Sequence, residues 1–261
     1  MTRRSGLTIA MSVGLMATVL GVTSGPAAAS AGQPSPAEVP GAPYAPAPAG
    51  SSRMLTFAGY EWTVKSSTSP VGPGPNIFDA KGPFVDSSGA LHLQIVKTAA
   101  GWESSEVILN PTLGYGTYRW TVDGPLSTLD PHVVFALFTY DESDTPPSNG
   151  EMDFEASRFD YTEEPTNAQY AVQPYKLAGN LYRITLPNSQ VTTVMMKWLP
   201  GRVTYSADSL PAWTNSSSSV PTNSTEQVHM SLWLFRGAAP SNGKPVSVKV
   251  TDFHFKPLPT A

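Results

Sequence analysis

The chain reads as an all-β protein built from two packed antiparallel sheets, a sandwich or jelly roll. Three observations predict this. About a dozen short runs of strand-forming residues follow one another after residue 53, each ended by Gly, Pro, Asn or Ser. No stretch of that region carries a helical apolar period. The run 132–140 is nearly unbroken in its apolar character, the pattern of a strand in the middle of a sheet.

Taken in order, Arg3 and Arg4 precede an apolar stretch over 7–22, and Pro26-Ala27-Ala28-Ala29-Ser30-Ala31 supplies small residues for a signal peptidase. Residues 1–31 are therefore expected to be an export signal, with cleavage after Ala29 or Ala31 fitting equally. Residues 32–52 are rich in Pro, Ala, Gly and Ser and read as a linker. Residues 53–261 form the expected single domain, long enough to bury a substantial core. The strands are expected at 54–64, 91–96, 102–109, 115–122, 132–140, 167–175, 181–186, 191–199, 203–207, 228–235 and 246–255, besides an acidic strand beginning at residue 149. A turn-rich segment runs from Val71 to Asn76, and a Ser/Asn loop covers 214–224.

Composition narrows the function. There are no cysteines, so an exported fold stands without disulfides, and thiol chemistry and zinc fingers are excluded. The net charge is −4, from 16 basic and 20 acidic residues, which provides neither a basic face for nucleic acid nor a polybasic membrane signal. Charged residues make up only 14% and aromatics 10%, a balance suited to an uncharged polymer such as a glycan. A monomer with a polysaccharide partner and no stable membrane association is expected. The four histidines lie on separate strands without metal-ligand spacing.

The acidic strand is the most informative stretch. In Asn149-Gly150-Glu151-Met152-Asp153-Phe154-Glu155, alternation puts Glu151, Asp153 and Glu155 on one face and Met152, Phe154 and Ala156 on the other. Three neighbouring carboxyls repel one another and shift each other's ionisation. A strand needing only to fold gains nothing from that. Glycosidic cleavage does, because one carboxylate attacks while a carboxylic acid protonates the leaving oxygen. The competing reading is a solvated polar face on an edge strand. On 228–235, His229, Ser231 and Trp233 share one face, and Met230, Leu232 and Leu234 the other. Trp233 is a candidate sugar platform or a core tryptophan, whereas Trp62, Trp120 and Trp198 read as core.

With these residues in view, the chain resembles glycoside hydrolase family 16. Glu151-Met152-Asp153-Phe154-Glu155 resembles the family's Glu-x-Asp-x-Glu strand. Leu113-Gly114-Tyr115-Gly116-Thr117-Tyr118 is similar to its Gly-Tyr-Gly-x-Tyr segment. Phe138-Thr139-Tyr140, Trp198-Leu199-Pro200 and Ser231-Leu232-Trp233 are similar to further landmarks. The resemblance implies a concanavalin-like jelly roll with a concave substrate cleft and a secreted, retaining, endo-acting hydrolase of β-linked glucan. The alternatives are a transglycosylase on the same site, or a glycan-binding module without turnover. By position, Glu151 would be nucleophile and Glu155 general acid/base, with Asp153 between them. Asn76, Glu106, Gln169 and Trp233 would contact sugar. No cofactor is required; a structural calcium with Asp252 as contributor is the one metal the resemblance allows. Asn149, Ile108 and Ser231 depart from the family pattern. On a flat strand Glu151 and Glu155 would start roughly 13 Å apart, against the 5–5.5 Å or so between carboxyls in retaining enzymes. A concave sheet and long glutamate side chains would bring them together. The negative charge of Asp153 is expected to raise the pKa of Glu155.

Overall fold

The computed structural model describes residues 53–144 and 148–259. The expected signal (1–31) and linker (32–52) lie outside the described residues, as do Pro146 and Pro147. The first strands are β1 (Met54–Phe57) and β2 (Tyr60–Val64). They form a hairpin where one strand was expected, because Ala58 and Gly59 both take positive φ (51° and 81°), the geometry of a tight two-residue turn. Next come β3 (Ile77–Phe78), β4 (Phe84–Val85), β5 (Leu91–Thr98), β6 (Gly101–Leu109), β7 (Gly116–Asp123), β8 (Val133–Tyr140) and β9 (Met152–Ala156). The chain continues through β10 (Ala168–Val172), β11 (Leu181–Ile184), β12 (Val191–Leu199), β13 (Arg202–Ala207), β14 (Trp213–Asn215), β15 (Gln227–Leu234) and β16 (Val246–Pro257). The helical pieces among the described residues are two short 3-10 turns, Leu126–Thr128 and Phe235–Gly237.

Pairing yields two sheets, antiparallel throughout apart from β3, which adds to β6 in parallel. The first runs β1-β2-β6-β15-β8-β9-β10-β11. The second runs β4-β5-β16-β7-β12-β13-β14. The β5–β6 hairpin belongs to both: Leu91–Ile95 pair with β16, while Val96–Thr98 turn away to pair with β6. This is a jelly roll, the expected all-β sandwich.

The core lies between the sheets. Trp62, Trp120 and Trp198 are buried in it, and so are Met152, Phe154 and Ala156 from β9 and Met230, Leu232 and Leu234 from β15. The period-two pattern thus determines which face of β9 turns outward. A second cluster of Val71, Phe78, Val134, Phe159, Trp233 and Phe235 sits on the opposite face of the first sheet. That second cluster, together with the strands β8–β10, walls a cleft.

Candidate active site

The cleft is lined by Glu151, Glu155, Gln169, Gln173, Tyr175 and Trp233, closed at the sides by Phe159, Phe235 and Pro73-Gly74. It encloses about 220 Å³, below the roughly 300–1,000 Å³ of a small-molecule pocket and in keeping with a short groove.

The turn before β9 aims the first carboxylate. Asn149 and Gly150 both have positive φ (46° and 61°). Asparagine tolerates that conformation, and its Nδ2 donates to the carbonyls of Asp141 (3.3 Å) and Asp144 (3.0 Å). At Gly150 a Cβ would lie 2.5 Å from the Glu226 side chain, which would have to move aside for it. Thr139 Oγ1 donates to the Gly150 carbonyl (3.0 Å) and accepts from Met152 N (3.2 Å). Glu151 therefore leaves a bend just ahead of β9, not a flat strand, with its N–H on Ser148 O (2.8 Å).

Cross-strand register sets the other partners. Gln169 lies opposite Glu155, and Arg183 opposite Gln169. Gln169 Nε2 donates to Glu155 Oε2 (2.6 Å), and Arg183 Nη1 donates to Gln169 Oε1 (3.2 Å), so one relay orients Glu155. Gln173 Nε2 approaches Asp153 Oδ2 at 3.4 Å. Asp153 is buried between the two glutamates and hydrogen-bonds to Glu151.

Burial pushes all three carboxyls up. Glu151 rises to about 8 against the pull of the Asp153 hydrogen bond, and the Glu155 charge adds to the rise. Glu155 rises to about 7, burial outweighing Gln169 and Arg183. Asp153 rises well above the usual carboxylate range through burial and the charges of both glutamates. It holds a proton and donates it to Glu151, which favours the ionised form of Glu151 within that pair. The expected route, a charged Asp153 raising Glu155, is thereby corrected: burial lifts Glu155, and Asp153 is neutral.

Of the four expected sugar contacts, Gln169 and Trp233 line the cleft. Trp233 is only 6% exposed and belongs to the apolar cluster with Val71, Phe78, Val134, Phe159 and Phe235. Asn76 and Glu106 do not reach the cleft. Asn76 Nδ2 donates to Pro73 O (2.7 Å) and Leu234 O (2.9 Å), and its Oδ1 accepts from Ser104 Oγ (2.9 Å) and Leu234 N (3.0 Å). Glu106 is fully buried, its Oε2 on Lys65 Nζ (3.0 Å) and its Oε1 on His229 Nδ1 (2.9 Å). Burial opposes charge on Glu106, yet Lys65 and His229 hold its carboxylate below the usual range. Both residues are thus corrected from sugar contacts to internal ties. Phe159, Gln173, Tyr175, Phe235 and Arg183 were not anticipated. Four of them lie outside the strands, where no face alternation marks them.

Asp252 points Oδ2 at Arg119 Nη2 (2.8 Å). Among the described residues no group of three or more His, Cys, Asp or Glu side chains could hold a metal ion. The Asp252 carboxylate is thus engaged by Arg119.

No protein-family model matches the sequence, and no curated protein does. Solved structures do match. The β-glucanase of Bacillus licheniformis has 18% identity and a TM-score of 0.60, covering 79% of this chain and 98% of that one. A prokaryotic β-1,3-1,4-glucanase (lichenase) from a mouse hindgut metagenome has 18% identity and a TM-score of 0.59, covering 76% and 93%. The laminarinase of Flavobacterium sp. UMI-01 has 12% identity and a TM-score of 0.59, covering 74% and 90%. The chain is thus a jelly-roll domain with two carboxyls, Glu151 and Glu155, facing one cleft and a third, Asp153, buried between them. More particularly, its fold is the one shared by these glucan-cleaving proteins.

Proposed function

We propose that the protein is an exported, retaining glycoside hydrolase of the family 16 type that cleaves β-linked glucan. The observation that carries the reading is the pair Glu151 and Glu155 lining one cleft, with the neutral Asp153 hydrogen-bonded to Glu151 between them. The glucanase and laminarinase named above support the substrate class.

Glu151, raised to about 8, and Glu155, raised to about 7, titrate as a coupled pair. The working form is the less populated arrangement in which Glu151 is ionised and Glu155 holds the proton, and the hydrogen bond from Asp153 favours it. Glu151 attacks the anomeric carbon while Glu155 protonates the leaving oxygen. Glu155 then takes a proton from water, which displaces Glu151 and regenerates the starting pair. Asp153 stabilises the ionised Glu151 by donating its proton to it. As Glu151 becomes an ester, that hydrogen bond weakens. The Gln169–Arg183 relay fixes Glu155 through both steps. The apolar walls Phe159, Trp233 and Phe235 limit water around the reacting centre.

The experiment is reducing-sugar release from laminarin, lichenan, agarose and carrageenan. Release from laminarin or lichenan is expected, and binding without release would replace the enzyme by a glycan-binding module. Export follows from residues 1–31, and N-terminal sequencing of protein recovered outside the cytoplasm should begin near residue 30 or 32.

A further inference from the structure

The face of the first sheet that carries the cleft holds a second polar group, out of reach of solvent. Register runs from Glu155 to Ala136 on β8, Ser231 on β15 and Glu106 on β6. In a groove open across the sheet, Ser231 and Glu106 would form the floor beneath a bound chain. Instead both are fully buried, with His229 beside them only 2% exposed.

The turn-rich segment from Val71 to Asn76 is anchored to this buried group. Lys65 Nζ donates to Gly72 O (2.7 Å) while it also meets Glu106 Oε2 (3.0 Å), so Gly72 is tied directly to the buried pair. The Asn76 amide fastens the far end of the segment to both the N–H and the carbonyl of Leu234. Between these anchors Gly74 lies against Trp233, where an added Cβ would stand 3.6 Å from the ring. Pro75 packs so closely on Gly237 that a Cβ there would meet it at 2.9 Å. Pro73 and Gly74 face Glu151 and Glu155 as an end wall. A buried ion pair contributes little net stability over apolar replacements. The Lys65–Glu106 pair is better understood as the tether of this segment.

The geometry points to a groove with one closed arm: segment 71–76 plugs the β15–β6 side, so a glucan chain enters only from the β10–β11 side and is cut a fixed, short distance from one end. This rests on the glycan-cleaving reading above and replaces endo-action with chain-end action. From β9 to β15 is two strand spacings, about 10 Å, on the order of a disaccharide between the carboxyls and the plug.

The test uses β-1,3-linked and mixed-linkage gluco-oligosaccharides of defined length, labelled at the reducing end, with products separated by mass in the first few minutes of turnover. The expected result is one short product of constant length, whatever the length of the substrate, with the label showing which end is held at the plug. Lys65→Met, which releases the Gly72 tether, should add longer products. A ladder of all lengths from the unaltered protein at the earliest time would overturn the closed arm, whether or not Lys65→Met folds. No cleavage of any of these glycans would instead overturn the hydrolase reading on which the inference stands.

Discussion

Replacing Glu155 by glutamine removes a titrating proton while leaving an oxygen to accept the 2.6 Å hydrogen bond from Gln169. Its consequence for stability follows from burial. The Glu155 carboxyl is raised from 4.5 to about 7, chiefly because burial penalises its charge. A carboxyl raised in the folded state binds its proton more tightly there than in the unfolded chain. Its stabilising contribution is complete below the unfolded value and is lost as pH climbs through the folded one. Each factor of ten in proton affinity is worth about 1.4 kcal/mol, which sets a ceiling of about 3 kcal/mol. Partial access to solvent and coupling to Glu151 reduce the working figure to about 1–2 kcal/mol. The unaltered protein should therefore lose stability between pH 5 and pH 8, and Glu155→Gln should lose about 1–2 kcal/mol less. For a domain of this size that is roughly 2–8 °C in Tm. Thermal or denaturant unfolding at both pH values, with Glu151 and Asp153 intact, measures the difference. Parallel pH dependences for the two proteins would refute burial as the source of the raised Glu155 carboxyl.

Lys65→Met leaves Glu106 charged and buried, so it should cost about 3–5 kcal/mol in denaturant unfolding; a loss under 1 kcal/mol would show that the Lys65–Glu106 pair is dispensable. Glu226 is buried and its carboxyl is pushed up to about 7 by that burial, so Glu226→Gln should be neutral at pH 5 and stabilising at pH 8, as read from unfolding midpoints. The pH profile of kcat/KM should be bell-shaped, with both limbs above the ordinary carboxylate range and an optimum between roughly pH 6 and 8. Full activity at pH 4 would contradict it.

Alternation along β9 and β15 was readable from the sequence because each strand has one face in the core, and a slip of one residue would expose Phe154 or Leu232. The three outward carboxyls followed directly. The fate of Glu106 did not, since its partners Lys65 and His229 lie 41 and 123 residues away and meet it only after the sheet forms. Asn76 was equally opaque: its amide is consumed by Leu234, 158 residues on. The segment around it looked like an ordinary turn, and nothing local shows that it is anchored to Lys65 and Leu234. β14 escaped notice because three residues ending in Asn215 sit in a Ser/Asn-rich stretch, where Trp213 is the one strong strand signal. The protonation of Asp153 was missed because alternation gives shared direction but not depth. Asp153, shorter than its neighbours, is buried where they reach the cleft.

The assignment of Glu151 and Glu155 is tested most directly by azide rescue of the alanine variants on a β-glucoside with a good leaving group. Each variant alone should lose several orders of magnitude in rate. In Glu151→Ala, azide enters the space of the missing nucleophile and attacks the sugar from that face, which should yield the α-glycosyl azide. In Glu155→Ala, the ester to Glu151 still forms, and azide should displace it to yield the β-glycosyl azide. Asp153→Asn should be slowed and give neither. Exchanged anomers would reverse the two roles, and unaltered rates in both alanine variants would remove catalysis from this strand.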